Sequence, residues 1–258
     1  MSKHVKELES RYILNMRVDA TNYADAVNRV LGWASRGESR YVCCANVHSV
    51  MESFDSPQLR RCFNTADLVT SDGMPLVWAL RRLGVGDATR VYGPDLVPAV
   101  LQAADREGLR VGFYGGKNTA LDLLLKTTER DYPGLVGYGF SPPFRELTPQ
   151  EDEMVVERIN ASGVQILFIG LGCPKQEKWM ADHKHRIRAV MLGVGAAFDF
   201  LTGQKAQAPR LLQSAGLEWL FRLCVEPKRL WKRYLKHNPR FVAHFAAQLM
   251  SPKHLNQI

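Results

Sequence analysis

The chain of 258 residues is poor in several features that would assign a function quickly, and each absence removes a class. No stretch approaches the roughly 20 apolar residues that a bilayer-spanning helix needs. The N-terminus, MSKHVKELESRY, has no apolar signal-peptide core, so a cytoplasmic protein is expected. Cys43, Cys44, Cys62, Cys173 and Cys224 are odd in number and form no CxxC pair, which points to reduced thiols in a reducing compartment. There is neither a GxGxxG dinucleotide fingerprint nor a GxxxxGK(S/T) phosphate loop. HExxH, a Cys/His quartet and an isolated DxD are missing too, so no metal and no cofactor are expected. Glu151-Asp152-Glu153 falls in the first turn of an expected helix, where dipole complementarity accounts for it. His183 and His185 lie at a Lys/Arg-rich helix end, and Cys43-Cys44 reads as inert strand-embedded thiol. The chain shows no internal repeat and no low-complexity segment.

Acid is scarce in one region. Residues 1–204 hold equal numbers of basic and acidic residues, 24 of each, whereas residues 205–258 hold ten Lys/Arg against Glu218 and Glu226. The whole net charge of +8 therefore sits in the tail. A neutral body with a basic tail suggests that the tail meets an anionic surface.

The composition, 46% hydrophobic and 23% charged, is that of a chain with an ordinary core, and the length suits one large α/β domain plus an appendage. Strand-like runs at 12–18, 41–45, 67–71, 110–118, 134–140, 165–172 and 189–198 alternate with helical segments. Thr21 reads as one helix N-cap, Thr148 with Glu151 as a capping box, and Pro174 and Pro227 as helix starts. That alternation predicts a Rossmann-like, mostly parallel sheet with helices on both faces. Ligands in such sheets bind outside the carboxyl ends of the strands. The residues there are Asn46, Asp72, Gly115-Gly116-Lys117, Gly172 to Gln176, and Gly193 to Asp199. Glycines with a few polar side chains suit a nucleotide or a sugar, because bare backbone lets N–H groups approach phosphate.

Each motif has two readings at this level. FYGGKN is either a phosphate-approaching turn or simply a tight strand-to-helix turn. GLGCPKQEKW presents Lys175 and Gln176 at a helix N-terminus, either for an anion or as a well-capped surface helix. Asp72, in the Ser-Asp-Gly turn after the third run, either caps the next helix or takes a proton from a substrate. In the tail, Arg229, Lys232, Arg233 and Lys236 fall on one helical face and Leu230, Trp231, Tyr234 and Leu235 on the other. A helix lying on an anionic membrane has this pattern, as does a core-packed helix with a solvated basic face. Nucleic acid is not expected, because the aromatic residues oppose the basic ones instead of interleaving with them.

Six stretches, in order, resemble the WecG/TagA/CpsF glycosyltransferase family: ADLVTSDGMPLVW, RVYGPDL, GFYGGK, RINASGVQILFIGLGCPKQEKWM, GVGAAFDFLTG and LEWLFRLCVEPKRLWKRYLKHNPRF. The resemblance implies an inverting, metal-independent enzyme of bacterial surface-polysaccharide synthesis. It would move a sugar from a UDP-sugar to a polyprenyl-diphosphate-linked saccharide at the inner face of the cell membrane. DGMPLVW points towards an exopolysaccharide enzyme; family donors are N-acetylmannosamine, its uronic acid or glucose-type sugars. By position, Asp72 matches the family's candidate base, which favours proton abstraction over capping. Asn46, Arg90, Gln176 and the residue at Cys44 would contact substrate. The glycines at 115, 116, 172 and 195, with Asp199, would hold the nucleotide. Arg222, Arg229 and Lys232 would reach the diphosphates. Cys44 stands where many relatives carry a hydroxyl, and Lys232 where an arginine is common. The division implied is a catalytic domain over 1–204 and a membrane-associating helical appendage over 205–258, with self-association left open. The competing readings are a non-catalytic nucleotide-sugar-binding module and, disfavoured by the absent fingerprint, a Rossmann oxidoreductase.

Overall fold

The run YILNMRV is not the single strand its β-branched content predicts. Leu14 and Asn15 both take positive φ, 49° and 67°, and fold the segment into a hairpin of β1 (Ser10–Ile13) and β2 (Met16–Asp19). Two consecutive left-handed residues match the twist of a two-residue hairpin loop. Buried Asp19 docks this hairpin on the main sheet by accepting from the Val69 N–H at 2.7 Å and the Ser10 hydroxyl at 2.7 Å. The structure is a computed structural model describing residues 8–143 and 145–251. The first seven residues, part of the segment read above as lacking a signal core, and the end of the tail with Lys253, lie outside the described residues.

After the hairpin come α1 (Tyr23–Ser35), β3 (Arg40–Ala45), α2 (Val47–Asp55), α3 (Pro57–Asn64), β4 (Leu68–Ser71), α4 (Met74–Arg82) and α5 (Gly93–Glu107). The chain continues through β5 (Val111–Tyr114), α6 (Asn118–Asp131), β6 (Gly137–Phe140), α7 (Pro149–Ala161), β7 (Ile166–Ile169), α8 (Lys175–His183) and β8 (Val190–Gly193). It closes with α9 (Ala197–Leu201), α10 (Arg210–Ser214), α11 (Glu218–Val225) and α12 (Pro227–Met250). The capping box holds at Thr148 and the helix start at Pro227, but α1 is capped by Asn22, whose side chain accepts from Asp25 N, and not by Thr21.

Strands β3 to β8 form one parallel sheet in the order β4-β3-β8-β7-β5-β6. Period-2 side-chain alternation splits them between two cores. Tyr41, Cys43, Ala45, Leu167, Ile169 and Met191 enter one, and Val42, Cys44, Ile166, Phe168 and Leu192 the other. Burial on both faces explains why the strands read as continuous apolar runs. All the C-terminal strand ends therefore point to one edge of the sheet, where the loops gather.

The tail lies against the body. Phe241 of α12 joins the first core, Gln248 exchanges hydrogen bonds with Leu14 N at 2.8 Å and Tyr12 O at 2.7 Å, and Arg240 pairs with Asp55 of α2 at 2.6 Å. This corrects the two-faced reading of α12. Leu230, His237 and Phe241 face inward, while Trp231 and Leu235, 48% and 68% exposed, belong to a separate outward stripe with Val242 and Leu249. Arg233 is drawn partly inward, and desolvation holds its pKa below the usual arginine range. At roughly 100° per residue, α12 thus has three stripes about 120° apart: buried, exposed apolar and basic.

Candidate functional site

The glycine-bearing ends of β5, β7 and β8 enclose a cavity of about 280 Å³. Gly115, Gly116, Gly172, Gly195 and Asp199 all line it, so one cleft receives all five positions expected to hold a nucleotide. Gly115 has to be glycine, since its φ is +115° and a Cβ would lie 2.9 Å from the Gly170 backbone. At the edge of this cleft α6, which contributes Ala120 and Leu121 to its lining, begins without a side-chain cap, leaving its first N–H groups to an anion. Phe198 supplies an apolar wall, standing edge-on to Phe113 at 5.6 Å and against Gly170. On the opposite rim, Lys205 bridges Asp199 at 2.6 Å and Glu226 at 3.3 Å, and Glu226 pairs in turn with Arg229. The tail thereby contributes Lys205 and Arg229 to the wall.

Asp72 sits beside this cleft at the end of β4. Its N–H donates to Ala45 O at 2.8 Å, continuing the ladder one residue past the strand. It does not cap α4, whose N-cap is Gly73 without a side-chain bond. One carboxylate oxygen, Oδ2, instead accepts from Gly93 N at 3.1 Å, at the start of α5. Among the described residues no hydrogen bond is made to Oδ1. A Cβ on Gly93 would lie 3.4 Å from Asp72 Oδ2, 3.8 Å from Cys44 Sγ and 3.8 Å from Val194 O, next to cavity-lining Gly195. The carboxylate and the glycine cleft are therefore neighbours. Burial pushes the Asp72 pKa up to about 6, against the pull of Arg90 and the Gly93 N–H. Such a group is deprotonated at neutral pH yet more basic than an ordinary aspartate. The Cys44 thiol, raised to about 12 by burial and by Asp72, stays protonated.

The other expected contacts are placed as follows. Asn46 caps α2: its Oδ1 accepts from His48 N and Ser49 N at 3.0 and 3.3 Å, so only its amide N–H₂ is free of described partners. Arg90 Nε donates to Asp72 O at 2.6 Å, its guanidinium lies 4.0 Å over the Tyr92 ring, and it pairs with Glu218 of α11. Arg222, one turn beyond Glu218 at 3.8 Å, lies over Phe200 and has a buried Nε without a described partner. Gln176 is buried beneath the loops: Oε1 accepts from Gly172 N at 3.0 Å and Nε2 donates to Glu177 at 2.9 Å. Lys232 projects over Trp231 and does not line the cavity.

Tyr92, Gly93, Phe198, Lys205 and Glu218 were not singled out from the sequence. Gly93-Pro94 was the available signal for α5, since Pro is favoured in a helix's first turn. Glu218 had no local signal, because its partner Arg90 lies 128 residues away. Among the described residues, the one group with three candidate metal ligands is His48, Glu52 and His237, which shares no residue with the cleft.

A parallel sheet with helices on both faces, a glycine-walled cleft at its strand ends and a buried carboxylate beside it define an α/β protein of the Rossmann-like class. The family model described as "Glycosyl transferase WecG/TagA/CpsF family" matches residues 11–255, and the chain belongs to this family. It is a glycosyltransferase. A relative from Bacillus spizizenii, "N-acetylglucosaminyldiphosphoundecaprenol N-acetyl-beta-D-mannosaminyltransferase", is 28% identical over 211 residues, 81% of this chain and 80% of the relative.

Proposed function

We propose that the protein transfers a hexosyl group from a UDP-sugar to a polyprenyl-diphosphate-linked saccharide, with inversion, in the synthesis of a bacterial surface polysaccharide or exopolysaccharide. The observation that carries this is Asp72, with one oxygen fixed by the Gly93 N–H, the other unpartnered among the described residues, and a raised pKa beside the glycine cleft. The acceptor hydroxyl gives its proton to Asp72 as its oxygen attacks the anomeric carbon. The bond from that carbon to the diphosphate oxygen breaks, and UDP leaves with the electron pair. The N–H groups of the glycine loops and of the start of α6 take up the charge of the departing diphosphate, aided by Arg229 and Lys205. Gln176 holds the Gly172 turn in shape, and Arg90 holds the backbone of Asp72. Asn46 offers its free amide to the sugar.

The same reading places the protein peripherally on the inner membrane face, where lipid-linked acceptors present their diphosphates. No helix among the described residues is long and apolar enough to cross a membrane. Among the described residues, ten of the fifteen exposed large apolar side chains lie beyond residue 205, which supports the tail as the surface that meets the membrane. The relative's name specifies a lipid-linked N-acetylglucosamine acceptor and an N-acetylmannosaminyl donor group, which sets the first pair to try here.

The test is a panel of UDP-sugars, each incubated with a synthetic polyprenyl-diphosphate saccharide and with wild-type or Asp72→Asn protein. Product with one donor and its loss in the variant support the reading. Stabilisation by UDP without turnover on any pair would instead favour a binding module.

A further inference from the structure

We propose that His48 and Glu52 of α2 and His237 of α12 bind one divalent cation of the zinc class, which staples the C-terminal helix to the body. His48 and Glu52 are four residues apart and so share a helix face. His237 comes from the opposing helix, 185 positions beyond Glu52 in sequence. Each residue offers one ligand atom, and the three atoms lie within 4.8 Å of one another. The imidazoles meet edge to face, 5.0 Å apart at 62°, and His237 Nε2 is 3.3 Å from Glu52 Oε1.

A second observation points to a missing ligand. The Nδ1 atoms of His48 and His237 are both buried with no described hydrogen-bond partner, and His237 as a whole is only 3% exposed. Unpartnered buried nitrogens are costly, and two in one cluster call for an explanation. A cation held by this group would take one nitrogen lone pair from each imidazole and so turn part of that cost into binding. Two imidazoles and a carboxylate match zinc-class ions, not magnesium or calcium, which prefer an all-oxygen shell. Three protein ligands leave the fourth tetrahedral position to water or an anion.

The surrounding charges permit this. Lys236 Nζ lies 3.6 Å from Glu52 Oε1, but its side chain is 57% exposed and can turn to water when a dication takes its place. Arg233 is the other cation facing His48, while Arg240 is committed to Asp55. The cation would have a structural consequence. Asn46, which caps α2, stands two residues before His48, and Arg229 lies two helical turns before His237. Fixing α2 to α12 therefore fixes the Asn46 side chain relative to the basic rim of the cleft.

The experiment uses the tag-free full chain, stripped with chelator and titrated with zinc by calorimetry and with cobalt by visible absorption. One equivalent should bind, raise the melting temperature and slow proteolysis of α12. Glu52→Gln and His237→Gln should each weaken binding by at least about tenfold, the lower end of what losing even a supporting partner costs. His185→Asn, at an exposed position, serves as the control and should bind like wild type. Should His237→Gln fail to fold, His48→Gln with Glu52→Gln decides the matter. No stoichiometric binding by wild type, or unchanged affinity in the Glu52 and His48 variants, overturns the proposal.

Discussion

The body and the tail solve the problem of ordering a chain in different ways. In the body, four of the nine described helices, α1, α2, α3 and α7, carry side-chain caps supplied by the residues that begin them. Its charges cancel, and its strands are buried on both faces. In the tail, α10, α11 and α12 lack side-chain caps, charge is one-sided, and apolar side chains remain exposed. The body is specified largely by local sequence, and the tail by what it leans on. Its inner face leans on α2 and the hairpin. Its outer face exposes an apolar and a basic stripe, which is the surface the proposed membrane association would use.

Deleting residues 205–258 is the harshest way to break this comparison. Transfer to a lipid-linked acceptor and flotation with anionic vesicles should both be lost, since the cleft loses Lys205 and Arg229. The remaining body should melt lower, because Phe241 leaves the core, yet should still be stabilised by UDP. Flotation of the truncated body equal to that of the full chain would show that the tail is ordinary core.

Within the body, Asp72→Asn should lower turnover by about 10²–10⁴-fold, the usual contribution of a positioned base, with UDP affinity little changed. Activity within a few-fold of wild type would leave Asp72 as a structural acceptor for α5. The same variant has a stability signature. Burial raises the Asp72 pKa to about 6 in the folded chain, from an ordinary aspartate value of 3.8. Between these values the folded state holds a proton that the unfolded state has released, so stability from this group falls as pH rises. Asp72→Asn should therefore melt higher than wild type at pH 8, by up to about 3 kcal/mol, with the gap closing towards pH 4. In the wild type, kcat/KM should rise with pH, inflect near 6 and then level off. A flat profile through that range would remove Asp72 as the titrating base.

Smaller effects sharpen the tail side. Trp231→Glu should weaken vesicle binding by about tenfold or more at any salt, since burying one large apolar side chain is worth about 1.5–3 kcal/mol. Added salt should weaken wild-type binding further, each basic residue near the surface contributing about 1 kcal/mol before screening. Salt-independent binding would assign the interaction to apolar contact alone. Smallest of all, chelation should change the rate of UDP-sugar hydrolysis by no more than about twofold, because N–H groups and arginines carry the leaving-group charge. Loss of hydrolysis in EDTA, restored by magnesium or manganese, would place a metal in the cleft.

The sequence by itself determined the parallel sheet, because strands buried on both faces must be apolar throughout and must be joined by helices. It also determined the glycine turns, because a backbone such as that of Gly115, at φ +115° and 2.9 Å from its neighbour, tolerates no Cβ. The asymmetry of charge between body and tail was equally plain. Local reading failed where conformation ran against propensity, as at Leu14, an apolar residue that takes positive φ so that the run turns back in a hairpin. It also could not give the direction of a helix face: Leu230 and Trp231 are neighbours in sequence, but one is buried and the other exposed. Pairings across long loops were decided only by the tertiary structure. Arg90 meets Glu218, Asp72 meets Gly93 instead of capping α4, and His48 meets His237. Such contacts depend on how sheet and helices pack in three dimensions, and hydrophobic periodicity carries no record of which distant polar side chains that packing will bring together.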